Sequence, residues 1–209
     1  MTVAAIILAP DTPAALADAD GEPAMRRVIQ AAWSGGALPI VVVAEDPDGK
    51  LAEGMAGLPA TLTQPSSDEP RGIAWFVHGL RAAGLAVSES TAGLLWPLRY
   101  VWVDPETVTS LVEAHGAELA EIVRPSWLGE AGFPILTPIG LANDLATLVP
   151  AHGGEAVESL IAGGAAHRVL ELGDPGIVHD ISTQRSALPD YQGPAQPSAA
   201  DLSTAGAND

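Results

Sequence analysis

The chain contains no cysteine and only one lysine, Lys50, among its 209 residues. Without cysteine it can form neither a disulfide nor a thiolate metal site, and thiol chemistry is excluded. Nine Lys and Arg residues stand against 26 Asp and Glu residues, so the formal net charge is −17 at pH 7. Because such a field repels phosphate backbones and anionic membranes, we expect neither nucleic acid nor a membrane as a partner.

Long hydrophobic runs are also missing. The longest apolar stretches have about the length of a strand and are interrupted by proline, glycine or charge, so none could span a bilayer. The N-terminus lacks the basic segment of a signal peptide, and we therefore expect a cytoplasmic protein. The length and the hydrophobic content of 47% fit one α/β domain with a substantial core.

Strand-like apolar runs alternate with helix-like segments, a pattern typical of a mostly parallel sheet with helices on both faces. The domain is predicted to cover residues 1–189, and the acidic tail 190–209 is predicted to be disordered because it has almost nothing to bury. Strands are expected at 3–9, 40–44, 60–63, 94–99, 120–125 and 132–137, helices at 24–34, 72–83, 104–116, 140–148 and 155–162, and closing segments at 168–172 and 177–180.

Five stretches, in order, resemble the MobA-like nucleotidyltransferases. The resemblance covers residues 2–189 and implies the three-layer GT-A-like fold of the nucleotide-diphospho-sugar transferases. It also implies an enzyme class whose members join CMP or GMP to molybdopterin. The stretches are AAIILA at 4–9, DGEP at 20–23, the segment from WP at 96–97 to DPETV at 104–108, PSWLGEAGFPIL at 125–136 and DPGIVHDIST at 174–183.

The same comparison indicates that the phosphate-binding loop is lost. In the family the loop after the first strand reads approximately LAAGxSxRMGxxK, and its glycines, amides and cations hold the phosphates. Here segment 10–19 is shorter and has neither glycine nor cation, with Ala14 where the lysine would fall. The altered cleft is expected to include Pro10, Asp11, Thr12 and Ala14, although an ordinary turn from strand to helix would explain so short a loop as well.

A second loss concerns the metal. The family ends its central strand with an aspartate that holds Mg²⁺, and Arg99 takes that position here. A guanidinium cannot ligate Mg²⁺, so Arg99 either binds an anion or a partner's carboxylate, or forms a structural ion pair. Asp180 stands where the family has a polar residue near its C-terminus. It is a residual metal candidate, but a single carboxylate is a weak Mg²⁺ site, and capping of nearby backbone is the alternative.

Bulky side chains replace small polar residues in the helix that begins near Gly72. Trp75 and Phe76 belong either to the core or to a plug that, with Arg99 and Tyr100, refills the cleft. His78 is interpreted as a partly buried structural histidine. Phe133 stands where the family usually has histidine.

Two functional hypotheses follow. The first is a non-catalytic relative, without cofactor, that binds a protein partner or a second copy of itself through exposed aromatics, for which Trp96, Trp102 and Trp127 are candidates. The second is an active enzyme that transfers CMP or GMP from CTP or GTP to a molybdopterin-type precursor with Mg²⁺. The missing phosphate loop favours the first hypothesis.

Overall fold

The computed structural model describes residues 2–149 and 151–193, and these form one mixed, mostly parallel sheet with helices on both faces. This confirms the predicted fold class. The strands are β1 (Thr2–Leu8), β2 (Ile40–Val43), β3 (Thr61–Thr63), β4 (Ser90–Pro97), β5 (Ile122–Trp127), β6 (Glu130–Ala131), β7 (Ile135–Pro138) and β8 (His167–Glu171).

The strand order is β3-β2-β1-β4-β7-β5-β6, with β8 paired to β5. Strand β1 lies parallel between β2 and β4, with Ile6 opposite Val41 and Leu95. Strand β7 is antiparallel to both β4 and β5. Since β1 and β4 are covered on both faces, their apolar residues are continuous rather than alternating.

Seven helices occur in the described part of the chain, and two of them were not predicted. Helix α1 (Thr12–Leu16) lies inside the expected loop 10–19, and α3 (Lys50–Gly54) follows β2. The predicted helix 140–148 is instead a 3-10 turn at Ile139–Leu141 that leads into the short helix α6. The helices are α1 (Thr12–Leu16), α2 (Ala24–Ser34), α3 (Lys50–Gly54), α4 (Ile73–Ala86), α5 (Pro105–Ala117), α6 (Ala142–Ala146) and α7 (Gly153–Ala162).

Helix α4 lies unusually close to the sheet because glycine stands at two contact points. A Cβ atom at Gly79 would come within 2.3 Å of Ile6 Cγ2, and one at Gly93 within 2.3 Å of Leu80 Cδ2. Both approaches are far below van der Waals contact. Gly79 and Gly93 therefore fix the depth at which α4 packs over β1 and β4.

The interface role expected for Trp96 and Trp102 is wrong, because both side chains are internal. Trp96 is fully buried and donates from Nε1 to the carbonyl of Tyr100 at 3.0 Å. Trp102 is 4% exposed and donates to the carbonyls of Asp180 and Thr183. A tryptophan is buried readily when its N–H finds an acceptor. Trp127 is half-buried, edge-on to His179.

The start of the predicted tail is in contact with the domain. Gly173 donates its N–H to the carbonyl of Gly193 at 2.8 Å, and Gln192 donates to the carbonyl of Gly173 at 2.9 Å. Residues 194–209 lie outside the described residues, and disorder there stays a prediction. No described helix has the length and apolarity needed to cross a membrane.

Candidate functional site

A cavity of about 640 Å³ opens at the carboxyl ends of β1 and β4. Ligands of open α/β sheets bind at this edge, because strand-to-helix segments and helix N-termini converge there. The cavity is large enough for a small molecule. Its lining consists of Leu8, Pro10, Ala14, Ala17, Ala24, Arg71, Gly72, Trp75, Leu95, Pro97, Leu98, Arg99, Phe133, His152, Gly153, Gly154, Glu155 and Ile181.

The segment after β1 forms one side of this cavity, and Asp11 holds it in place. Asp11 is the N-cap of α1, and its carboxylate accepts a hydrogen bond from the Ala14 N–H at 2.8 Å. Its carbonyl accepts from the Ala15 N–H at 3.2 Å. Asp11 before the proline at 13 is a typical helix-start signal. Two backbone donors of this segment are thus bound within the segment itself.

Helix α7 begins at the cavity with two successive glycines. Its first backbone hydrogen bond runs from the Ala156 N–H to the His152 carbonyl, and no side chain of residues 2–149 or 151–193 caps the earlier N–H groups of Gly153, Gly154 and Glu155. The N-terminus of a helix carries a partial positive charge. Phe133 approaches so closely that a Cβ at Gly154 would lie 3.2 Å from its ring. The glycines therefore let the helix end border the cavity.

Arg99 lies in the turn after β4 and at the cavity wall. The strand ends at Pro97, two residues earlier than the predicted end, so the Arg99 side chain is not held by the sheet. Instead its Nη2 donates to the hydroxyl of Tyr100 at 3.2 Å, and the guanidinium lies 5.0 Å from the centroid of that ring. Tyr100 in turn stacks on Phe133 with ring centroids 4.9 Å apart.

Arg99 is exposed, and none of the ion pairs among residues 2–149 and 151–193 includes it. The interpretation of Arg99 as a structural ion pair is therefore wrong for the described residues. The charge of Arg99 helps to lower the pKa of Asp180, although the hydrogen bond from the Ser182 hydroxyl has the larger effect. Asp180 does not line the cavity.

Arg71 is the second cation at the wall, and it is already partly neutralised. Its Nη2 pairs with Glu45 at 3.1 Å, and its guanidinium lies 5.4 Å from the centroid of the Trp75 ring. Trp75 itself is 2% exposed. The buried Trp75 Nε1 has no acceptor within the described part of the chain, so one buried hydrogen-bond donor of this side chain is unused.

The residual metal candidate Asp180 serves the local backbone. Its Oδ1 accepts from the N–H of Ser182 at 2.9 Å and from the Ser182 hydroxyl at 2.5 Å. This is the capping arrangement that was the alternative for Asp180. Among the residues that the structure describes, no group of three or more His, Asp or Glu side chains could hold a metal ion. Asp180 therefore has too few described carboxylates or imidazoles near it to form a metal site from protein side chains alone, and it does not line the cavity.

The predicted cleft residues divide into two sets. Pro10, Ala14, Trp75 and Arg99 line the cavity, whereas Asp11, Thr12, Phe76 and Tyr100 do not. The proposed plug is wrong, since Trp75 and Phe76 of α4 are both buried in the core, which was the alternative for these residues, and the cavity stays open. Successive helix positions point about 100° apart, so Trp75 can border the cavity while its neighbour Phe76 does not.

His78 lies away from the cavity. Its Nε2 is 2.9 Å from the Thr63 hydroxyl, and its Nδ1 is 3.4 Å from Glu69. The sequence missed Arg71 and the 152–155 segment as site residues. Two glycines directly before an apolar helical run were the available signal, because such a helix start can approach a ligand with its backbone.

Comparison with known proteins agrees with this fold. A family model described as the MobA-like NTP transferase domain matches residues 11–169, more than half of the chain. No curated protein matches the sequence.

Solved structures share the fold at low identity. Rv0371c from Mycobacterium tuberculosis, in complex with manganese, is 18% identical with a TM-score of 0.65, and the match covers 82% of this chain and 89% of that one. A nucleotidyl transferase from Methanothermobacter is 16% identical with a TM-score of 0.68, over 81% and 87%. The 4-diphosphocytidyl-2C-methyl-D-erythritol synthase of Anaerococcus prevotii is 13% identical with a TM-score of 0.63, over 88% and 93%. At these identities the likeness concerns the fold.

Proposed function

Since the chain belongs to the MobA-like NTP transferase family, we propose that it keeps the family's fold but binds neither a nucleoside triphosphate nor Mg²⁺. It serves instead as a non-catalytic binding subunit in the cytoplasm, for a protein partner or a second copy of the chain. The sequence resemblance supports this proposal because the family's phosphate-binding loop and metal-binding aspartate are missing. The geometry supports it because Asp11 binds backbone donors of the segment that replaces the loop.

The hydrogen bond from the Ala14 N–H to Asp11 carries the proposal. A phosphate-binding loop needs free backbone donors and positive charge. Here the donors of Ala14 and Ala15 are taken by Asp11, and the carboxylate adds a negative charge to the segment that stands in place of the family's phosphate-binding loop. An anion that bound the backbone of this segment would have to displace a charged helix cap, and it would meet repulsion from Asp11 as it did so.

The charges around the cavity also fit poorly with a metal–nucleotide complex. Two arginines line it, Arg71 is paired with Glu45, and Glu155 adds an acidic group. Most of the remaining lining is apolar. A triphosphate with Mg²⁺ requires several directed donors and carboxylate ligands, so this wall supports a different type of ligand.

The partner surface is not formed by Trp96 and Trp102, because both are internal. Exposed apolar side chains elsewhere include Trp33, which is 51% exposed at the end of α2, and Leu128, which is 80% exposed at the β5–β6 turn. Aromatic side chains dominate binding hot spots, so Trp33 is the better candidate. Light scattering with wild type and Trp33→Ser tests self-association, and a concentration-independent monomer in both would leave a protein partner as the remaining form of the proposal.

One observation favours the alternative, an active transferase that moves CMP or GMP from CTP or GTP to a molybdopterin-type precursor. The cavity is open, and it lies at the sheet edge where ligands of this fold type bind. In that case CTP or GTP would bind with Mg²⁺ through an arrangement of donors that this structure does not contain.

Calorimetric titration of CTP and GTP, each with Mg²⁺, tests the proposal. We expect no heat of binding and no thermal shift at millimolar nucleotide. Asp11→Asn is the matched variant, because asparagine caps a helix as well as aspartate does but carries no charge. It should remain inert, since no cation is gained. Micromolar binding by the wild type would overturn the proposal and support the alternative.

A further inference from the structure

The cavity at the ends of β1 and β4 has the size of an ordinary small-molecule site. Its volume of about 640 Å³ lies within the range of roughly 300–1,000 Å³ that is typical of ligand pockets. It remains open although the chain has large side chains around it. An open and largely apolar cavity favours a ligand with an apolar surface.

The apolar lining comes from several different elements. Leu8 and Leu95 stand on neighbouring strands, Leu98 follows β4, and Phe133 and Ile181 come from later segments. The Trp75 indole forms part of the wall from α4. A flat aromatic ligand body would contact leucine and aromatic side chains on more than one side, which is the environment that stabilises such groups.

Positive charge is concentrated at one place in this wall. Arg99 is exposed, has no ion-pair partner within residues 2–149 and 151–193, and is supported by Tyr100. The uncapped N–H groups at the start of α7 border the same cavity. In a protein of net charge −17, an arginine that has no ion pair within the described residues and lines the same cavity as a helix N-terminus is a local anion-binding arrangement.

The number of cations in the cavity lining limits the ligand to one small anionic group. Arg71 already pairs with Glu45, and Glu155 lies in the first turn of α7. Arg99 is therefore the one lining cation without an ion-pair partner in the described residues. A single oxyanion group matches its planar guanidinium, whereas a polyphosphate would leave most of its charge uncompensated.

We propose that this cavity binds a small molecule with an apolar, aromatic body and one oxyanion group such as a carboxylate. The body lies between Trp75, Phe133 and the leucines, and the anion pairs with Arg99 near the start of α7. This inference deepens the proposed function, because it rests on the cleft having lost its nucleotide. It assigns a ligand class to a family member that is proposed to be non-catalytic.

Fluorescence titration with two matched probes tests the proposal. Anilinonaphthalene sulfonate has an aromatic body and one anionic group, and phenylnaphthylamine has a similar body without the charge. We expect the sulfonate to bind one site with a micromolar Kd and to be displaced by naphthoate. Arg99→Gln should weaken sulfonate binding by tenfold or more and leave phenylnaphthylamine binding within about twofold, because a charge-assisted hydrogen bond is lost.

Two controls separate the site from general adhesion. Arg81→Gln removes an exposed cation that does not line the cavity and should change neither probe's affinity. Ala14→Phe places a ring in the cavity and should weaken both probes. Equal loss in Arg99→Gln and Arg81→Gln, or binding unaffected by Ala14→Phe, would overturn the proposal, as would failure of the sulfonate to bind the folded wild type.

The nucleotide titration distinguishes failure of the proposed ligand class from failure of the proposed function. If the sulfonate binds through Arg99 and CTP and GTP do not bind, both the ligand class and the proposed function stand. If CTP binds with Mg²⁺ and displaces the sulfonate, the proposed function fails although the cavity is occupied. If neither type of molecule binds, the ligand class fails and the proposed loss of nucleotide binding stands.

Discussion

The guanidinium of Arg99 lies over the ring of Tyr100, 5.0 Å from its centroid, and Nη2 also donates to the Tyr100 hydroxyl at 3.2 Å. Because Tyr100 itself stacks on Phe133, the three side chains form a continuous row that ends at the cavity. Tyr100 is a positioning residue for Arg99, since it does not itself line the cavity.

Replacing Tyr100 should therefore lower affinity for the anionic probe without removing the charge. Tyr100→Phe keeps the ring under Arg99 and loses the hydroxyl, so we expect a loss of about two- to threefold. Tyr100→Leu removes both supports and should cost more. Phenylnaphthylamine binding serves as the control, and an equal loss for both probes would mean that Tyr100 shapes the cavity rather than positions Arg99.

Removing the charge of Asp180 should have the opposite effect. The Ser182 hydroxyl, and to a smaller extent Arg99, holds the pKa of Asp180 below its usual value, so the carboxylate is ionised at neutral pH. Asp180→Asn keeps the oxygen that accepts from Ser182 but relieves Arg99 of a competing negative charge. We expect the sulfonate probe to bind about two- to fivefold more tightly at low salt, with the gain reduced by added salt. Unchanged affinity at low salt would contradict this coupling.

The cap at Asp11 should contribute measurably to stability. Asp11→Ala leaves the Ala14 N–H without its acceptor and should lower the free energy of unfolding by about 1 kcal/mol. Asp11→Asn should change it by a few tenths of a kcal/mol at most, since asparagine is an equally good cap. Urea denaturation measures both. A similar loss for both variants would show that charge, rather than capping, stabilises this segment.

His115 should make stability depend on pH. It is fully buried at the end of α5, its Nε2 lies 2.9 Å from the Thr91 hydroxyl, and burial lowers its pKa below the usual 6.5. The unfolded chain then binds a proton more readily than the folded one. Stability is lost as pH falls from about 6.5 toward the lowered pKa, by at most about 1.4 kcal/mol per pH unit.

His115→Gln is the matched comparison, because glutamine can bond Thr91 but does not titrate. Between about pH 7.5 and 5.5, we expect the wild type to lose more stability than this variant. Both proteins contain the same carboxylates, so the difference between their losses of stability reports the contribution of His115. Parallel pH profiles would contradict the expectation.

Asp174 should be far more important for stability than an exposed aspartate. It is 2% exposed and accepts hydrogen bonds from the Asp104 N–H at 2.9 Å, the Thr107 hydroxyl at 2.7 Å and the Gly176 N–H at 2.8 Å. Asp174→Ala leaves these three donors unpaired, at a cost of about 3 kcal/mol. Asp18→Ala removes one exposed bond to Gly21 and should cost less than about 1 kcal/mol. Equal losses in urea denaturation would refute the comparison.

The sequence predicted the sheet well because buried strands are short and apolar whatever surrounds them. The run at 3–9 and the run at 40–44 match β1 and β2 within one or two residues. The start of α5 was also correct, since Asp104 before Pro105 is a local signal. Helix α1 was missed because only five residues form it, too few for a periodic pattern.

The site was predicted less completely. Arg99 and Trp75 were identified because each stands out against the family pattern, and both line the cavity. Trp96 and Trp102 were assigned to the surface because residue type alone does not report whether an indole N–H finds an internal carbonyl. Arg71 and His152 were missed since they come from segments that meet only when α4 and α7 pack on the same sheet edge.

By itself, the sequence determined the order of the main strands and helices, the scarcity of cations and the absence of glycine from segment 10–19, since these depend on which residues follow one another. Only the tertiary structure decided whether the cleft was filled. Phe76 and Trp75 are neighbours in sequence and both belong to the core, yet only Trp75 also borders the open cavity. Side-chain direction on a packed helix, rather than side-chain size, decides that outcome.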